Sequence, residues 1–319
     1  MLANLWLVLI AMITQSVLLW SLPLLNFTSD LSTAKFVFLE DVYNLSDSKN
    51  LVDKLDSTKT TVLYLHGFGE NMNSESIQVI AEAYSERSDT NLIILDWAQL
   101  AGGDYALDAV VNVNRLGSHL ATVLLEMFDQ GLDIEKLHIV AHSLGGQLAG
   151  NTGREILKQS NGVKKIKRIS ALDPAFPLFY LNAGIIKHLS KDDAEFVDVI
   201  HTDAWHYGAP FSTGTADFWP NGGTAPQPGC QNEMLNPIDL CSHQRSWWFW
   251  AESVSDRFPE KFNAVAAENW ILFMLNVKKP DKAVMGHYCP TTARGNYYLQ
   301  TNGETPFARG EKGLTYMYM

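Results

Sequence analysis

The chain has 319 residues, 46% hydrophobic and 18% charged, which suits one large globular domain with a sizeable core and excludes a disordered chain. Its 24 Lys and Arg stand against 35 Asp and Glu, a formal net charge of −11. That acidity argues against a nucleic-acid partner, because phosphates are met mostly by Lys and Arg.

The first charged side chain is Asp30. The apolar runs 5–13 and 17–25, broken by Thr14, Gln15 and Ser16, fit a signal peptide over residues 1–25 better than a membrane span, although no basic residue precedes them. Two N-x-S/T sequons follow, at Asn26 and Asn44. They are the glycosylation candidates and agree with a secreted, extracellular route.

From residue 60 onward, short apolar runs alternate with amphipathic ones. Residues 60–65 (T-T-V-L-Y-L) read as a buried strand ending in His66-Gly67-Phe68-Gly69. Residues 74–85 have helical spacing, 91–95 form a second strand ending at Asp96-Trp97, and 109–128 form a long amphipathic helix. Residues 137–141 read as a third strand, 145–158 as a helix, 166–172 as a fourth strand ending at Asp173-Pro174, and 197–201 as a fifth. The basic cluster Lys164, Lys165, Lys167 and Arg168 reads as a solvated connection between helix and strand. Glycine and proline thicken between 208 and 229, which predicts an ordered loop region. Trp247, Trp248, Phe249 and Trp250 are consecutive, so they cannot share one face, and most are expected in the core around a helix. The alternation predicts an α/β chain with a mostly parallel central sheet and helices on both faces, in a single domain.

The sharpest chemical signal is Ala141-His142-Ser143-Leu144-Gly145, where a buried strand turns at once into a helix rich in small residues. A strained strand-to-helix turn exposes a serine hydroxyl at a sheet edge, and close packing there demands small residues two before and two after it. Gly145 meets this demand, and Ala141 adds one methyl to the turn. A serine hydroxyl needs a base, and the base needs an orienting acid, in the chain order Ser, Asp or Glu, His. Asp173 ends the next strand and is favoured over Asp198 and Asp203; His188, His201, His206, His243 and His287 are all candidates for the base. The oxyanion donors are expected to be the N–H groups of Leu144, after the serine, and Phe68, in the turn after the first strand. His201-x-Asp203-x-x-His206 has loose spacing and reads as structural hydrogen bonding rather than a metal site. Of three cysteines, Cys230 and Cys241 are near enough in sequence to staple a short loop, which leaves Cys289 over.

Taken in order, these pieces resemble the animal pancreatic-lipase family, especially its insect lipase and phospholipase A1-like members. The matching residues include His66-Gly67-Phe68, Asp96-Trp97, His142-Ser143-Leu144-Gly145, Leu172-Asp173-Pro174-Ala175 and His201-Thr202-Asp203. They continue through Asp217-Phe218-Trp219-Pro220-Asn221-Gly222-Gly223, Gln227-Pro228-Gly229-Cys230, Cys241-Ser242-His243-Gln244-Arg245-Ser246 and Gly295-Asn296-Tyr297-Tyr298-Leu299. The resemblance implies the α/β-hydrolase fold over residues 33–319 and hydrolysis of fatty acyl esters at a lipid surface. It implies Ser143, Asp173 and His243 as the triad and a Cys230–Cys241 disulfide at the base of a lid. The lid segment, 231–240, is short and carries Met234, Leu235, Ile238 and Leu240. A short lid is similar to the phospholipase A1-type members, with triacylglycerol hydrolysis and a non-catalytic lipid-binding or storage role as the alternatives. Three features depart from the family pattern. Ala141 replaces its usual glycine. Ser190 stands beside Asp193 where calcium-binding members carry a second aspartate, so no cofactor or structural metal is expected. The resemblance covers the family's catalytic domain without its C-terminal β-sandwich, so colipase is not expected as a partner.

Overall fold

All six residues of Leu137–His142 are buried, as a strand covered on both faces requires. The computed structural model describes residues 29–180, 186–234, 236 and 239–317; the expected signal peptide and the Asn26 sequon lie outside them. A hairpin of β1 (Lys35–Phe38) and β2 (Asp41–Asn44) comes first, then α1 (Ser48–Val52), β3 (Thr60–Leu65), α2 (Glu75–Ser85) and β4 (Thr90–Asp96). A π-helical turn (Tyr105–Ala109) runs into α3 (Val110–Asp129), followed by β5 (Leu137–His142), α4 (Leu144–Gln159), β6 (Arg168–Leu172), β7 (Phe196–Ile200) and β8 (Ala216–Pro220). The chain closes with α5 (Cys241–Val254), β9 (Asn263–Ala266), α6 (Trp270–Met274), β10 (Lys282–Val284) and β11 (Gly295–Leu299). Asn44 is exposed at the end of β2, where Lys35 Nζ donates to its side-chain oxygen.

Among the described residues the strands form one sheet in the order β10-β9-β11-β8-β7-β6-β5-β3-β4-β1-β2. Neighbours from β4 to β11 run parallel, and antiparallel strands extend both edges. Alternate side chains feed two cores. Leu63, Leu65, Ile139, Ile169 and Val197 pack with Leu116 and Leu120 of α3 and Leu148 and Ile156 of α4. Val62, Tyr64, Val140, Leu172 and Ile200 pack with Ile77 and Ile80 of α2 and Trp247, Phe249 and Trp250 of α5. Three of the four consecutive aromatics are therefore core residues, while Trp248 is half-buried. This is the α/β-hydrolase fold with helices on both faces. The chain leaves β3 for β4 on one side and returns to β5 on the other, so a crevice opens beyond the carboxyl ends of β3 and β5.

The basic cluster needs a correction. Arg168 belongs to β6, not to a solvated connection, and its guanidinium pairs with buried Asp198 through Nε at 2.8 Å and Nη2 at 3.0 Å. It also donates to the Gly286 and His287 carbonyls at 2.9 and 3.0 Å, and Ser170 Oγ donates to Asp198 at 2.7 Å. Removing one member leaves the other charged and buried. Asp198→Ala is expected to cost about 3–5 kcal/mol, read as a lower urea midpoint at unchanged slope. No helix among the described residues is long and apolar enough to cross a membrane.

Candidate active site

Ser143 stands between β5 and α4 with φ 53° and ψ −121°, a conformation that L side chains rarely adopt. Its N–H donates to Leu172 O at 3.0 Å, and its carbonyl accepts from Gly146 and Ala175 N–H at 2.9 and 3.0 Å. The turn is thus tied to β6 and to the loop after it. Gly145 is needed for the close approach, because a Cβ there would lie 2.3 Å from Leu65 O. Ala141 sits fully buried in β5, in register with Leu65 and Ala171, and packs its methyl into the core.

Because β5 and β6 are parallel and pair His142 with Leu172, the next residue of each emerges at the same edge. That brings Asp173 beside Ser143. Asp173 is buried, with φ 46°, and its N–H donates to Ile200 O at 2.7 Å. Its Oδ1 accepts from Thr202 N–H at 2.8 Å and Asp203 N–H at 3.1 Å, and its Oδ2 meets His243 Nδ1 at 2.6 Å. A carboxylate can only accept, so Nδ1 carries the proton and Nε2 is left for exchange. His243 is buried in the first turn of α5. Burial opposes its charging, but the Asp173 hydrogen bond and the fields of Asp173, Asp203 and Glu70 leave the imidazole above its ordinary value.

The rival residues have other partners. Asp198 is held by Arg168, and Asp203 meets His206 Nδ1 at 3.3 Å. The ring nitrogens of His201 face Ala209 O at 2.9 Å and Asp217 at 2.8 Å, and its ring stacks on Trp219. His188 stacks on Tyr180, and His287 is packed against Tyr84 and Trp250, where burial and nearby Arg87 and Arg168 push it down to about 4.

The turn after β3 is built from His66. Its Nε2 accepts Trp97 N–H at 3.3 Å, so its Nδ1 carries the proton and donates to Gly67 O at 3.0 Å; Trp97 Nε1 donates back to His66 O at 3.1 Å. Phe68 N–H donates to no acceptor among the described residues, and Leu144 N–H is one of those a helix start leaves over. Gly67, Phe68, Ser143, His243, Tyr207 and Trp247 share the wall of a cavity of about 570 Å³. Tyr105, which packs edge-on against Phe68 at 5.1 Å, also lines it.

Cys230 and Cys241 form a disulfide with Cα atoms 5.6 Å apart, closing the loop that leads into α5 two residues before His243. Within that loop Met234 ends a 3-10 turn (Gln231–Met234), Leu235 and Ile238 lie outside the described residues, and exposed Leu240 lines the cavity. Asp193, beside Ser190, pairs with Arg154 Nη1 at 2.6 Å and accepts the Ser190 N–H at 2.8 Å. Glu70 and His142 were not singled out by sequence reasoning, yet both line the cavity. The contact that joins them spans 72 residues, which no local pattern marks.

The lipase family profile matches residues 41–307. The pancreatic triacylglycerol lipase of Cavia porcellus is 31% identical over 284 residues, covering 79% of this chain and 58% of that one. The same-named enzyme of Mus musculus is 30% identical over 308 residues, with 86% and 64% covered. Lipase member H-A of Xenopus laevis is 34% identical over 203 residues, with 63% and 42% covered. The chain spans less than two thirds of the length of each. Among solved structures, a hydrolase of the α/β superfamily from Xanthomonas campestris pv. campestris shares 15% identity and a TM-score of 0.33, covering 47% of this chain and 76% of that one. With the profile spanning most of the chain, and relatives at this identity over four fifths of it, the protein belongs to the animal pancreatic-lipase family.

Proposed function

We propose that the protein is a secreted serine hydrolase of fatty acyl esters in lipids, of phospholipase A1 type. The observation that carries the reading is His243, held by Asp173 at 2.6 Å, in the same cavity wall as the strained Ser143. Ser143 Oγ attacks the ester carbonyl while His243 Nε2 takes its proton. Asp173 holds the tautomer and stabilises the imidazolium. Phe68 and Leu144 N–H groups receive the tetrahedral oxyanion, and His243 then returns the proton to the leaving alcohol. Water activated by His243 releases the fatty acid. No step draws on a cofactor. The apolar sequence before Asp30 supports secretion.

The short loop, with Cys230 and Cys241 at a sequence separation of 11, supports access for a bulky polar head group. Triacylglycerol hydrolysis is the second reading, favoured by the names of the Cavia porcellus and Mus musculus relatives. Release of the sn-1 fatty acid from phosphatidylcholine is expected to exceed triolein hydrolysis by about tenfold or more. The reverse ratio would overturn the phospholipase reading and leave the esterase reading standing. Absence of covalent labelling by a fluorophosphonate would instead favour a non-catalytic lipid binder.

A further inference from the structure

Beside the Asp173–His243 pair lies a second carboxylate–imidazole pair that this mechanism leaves unused. Glu70 Oε2 accepts the Gly67 N–H and the Nδ1–H of His142, the latter at 3.2 Å, while Oε1 accepts the Ser76 hydroxyl at the start of α2. Burial alone would raise the Glu70 carboxyl, but the electrostatic interaction with His142 and the hydrogen bonds from His142, Ser76 and Gly67 bring it down to about 2. It is therefore an anion throughout the neutral range. One carboxylate thus joins three elements: the turn after β3, the residue preceding Ser143, and α2. The junction is tight, since a Cβ on Gly67 would lie 2.9 Å from Glu70 Oε2 and 3.1 Å from both His142 Nδ1 and Ser143 Cβ.

The Phe68 N–H belongs to the peptide unit whose carbonyl is Gly67 O. That carbonyl faces His66 Nδ1 at 3.0 Å and Glu70 N–H at 3.4 Å. In a planar trans peptide the N–H points opposite to its C=O, so holding Gly67 from both sides sets the direction of the Phe68 N–H. We propose that Glu70 is a positioning residue for the oxyanion hole, clamping Gly67 against the elbow so that the Phe68 donor is oriented before the oxyanion forms. His142 is its brace. Beyond its bond to Glu70, His142 Nε2 is buried without a hydrogen-bond partner among the described residues, and its ring lies 4.7 Å from that of His243. The groups facing His243 are then the anions Asp173, Asp203 and Glu70 and the rings of His142 and Tyr207.

This inference rests on Ser143 as nucleophile and deepens that reading. The test compares full-chain Glu70→Ala and Glu70→Gln with wild type on p-nitrophenyl butyrate. Glu70→Ala is expected to lower kcat by about 10–100-fold with KM held within about twofold, because a misdirected donor fails the transition state rather than the ground state. Glu70→Gln keeps an acceptor for the Gly67 N–H and is expected to recover most of that loss. It also removes one negative charge near His243, so the acid limb of kcat/KM moves to lower pH. A wild-type kcat in Glu70→Ala, or a kcat in Glu70→Gln as low as that of Glu70→Ala, would overturn the proposal. Should Glu70→Ala fail to fold, Glu70→Asp, which keeps the charge but draws the carboxylate back from the Gly67 N–H, decides by the same split of kcat against KM, a wild-type kcat overturning the proposal. A Ser143→Ala control that kept wild-type turnover would instead remove the underlying reading.

Discussion

Ser143→Ala is expected to lose about 10⁶-fold in kcat on a fatty acyl ester, with fluorophosphonate labelling abolished. The size follows from the way the groups act as a unit. Without Oγ there is no covalent intermediate, and the base at His243 has no proton to move. Only binding and the oxyanion donors at Phe68 and Leu144 remain, worth about 10³–10⁴ over water. The backbone conformation at 143 is already strained in the wild type, with φ 53°, and alanine meets the same strain. The urea midpoint should therefore stay near that of the wild type, which separates lost chemistry from lost fold. A wild-type rate from the purified variant would sink the assignment of Ser143.

The second large effect belongs to Asp173→Asn, expected to lower kcat by about 10⁴-fold. The amide oxygen can still accept the Thr202 and Asp203 N–H groups that Oδ1 now takes at 2.8 and 3.1 Å. The amide NH₂, facing His243 Nδ1, is a donor and demands a bare nitrogen. The imidazole then carries its proton on Nε2 and cannot accept one from Ser143. The pH profile gives an independent reading. His243 must be neutral to act as base, and in the folded protein it lies above its ordinary value. The acid limb of the wild-type kcat/KM is thus expected above about pH 6.5. Loss of the Asp173 charge moves the residual activity's limb downward. A limb that stayed in place would mean that Asp173 does not hold the base.

The centre of the sheet was legible because strands buried on both faces read as unbroken apolar runs, as in Leu137–His142. Its edges were not. In the edge strand Asp41–Asn44 only Tyr43 is buried, and farther in, between β7 and β11, Ala216–Pro220 ends in a proline within a Gly/Pro-rich stretch, so neither carries an apolar run that stands out. Arg168 was misjudged because it ends a basic run in sequence, whereas its place on β6 turns it toward Asp198. The elbow at Ser143 was legible from its local spacing, since a strand-to-helix turn with small neighbours is a short-range constraint. The choice of Asp173 over Asp203 was a matter of which carboxylate holds His243 Nδ1, and only the alignment of strand ends decides that. Glu70 carried no signal, because its meaning comes from His142, 72 residues away.

These separations bear on how the proposed site assembles. Asp173 and His243 stand 70 residues apart, and the Ser143 turn is pinned to Leu172. The base arrives only when α5 docks on α2, where Trp250 Nε1 meets Tyr84 Oη at 3.2 Å. Contacts across such spans form late, after the entropy of closing long loops has been met. A partly collapsed chain can hold β3 through β6 and still lack a competent base. On the proposed mechanism a competent base therefore waits for α5 to dock, so turnover would report that this long-range contact has formed.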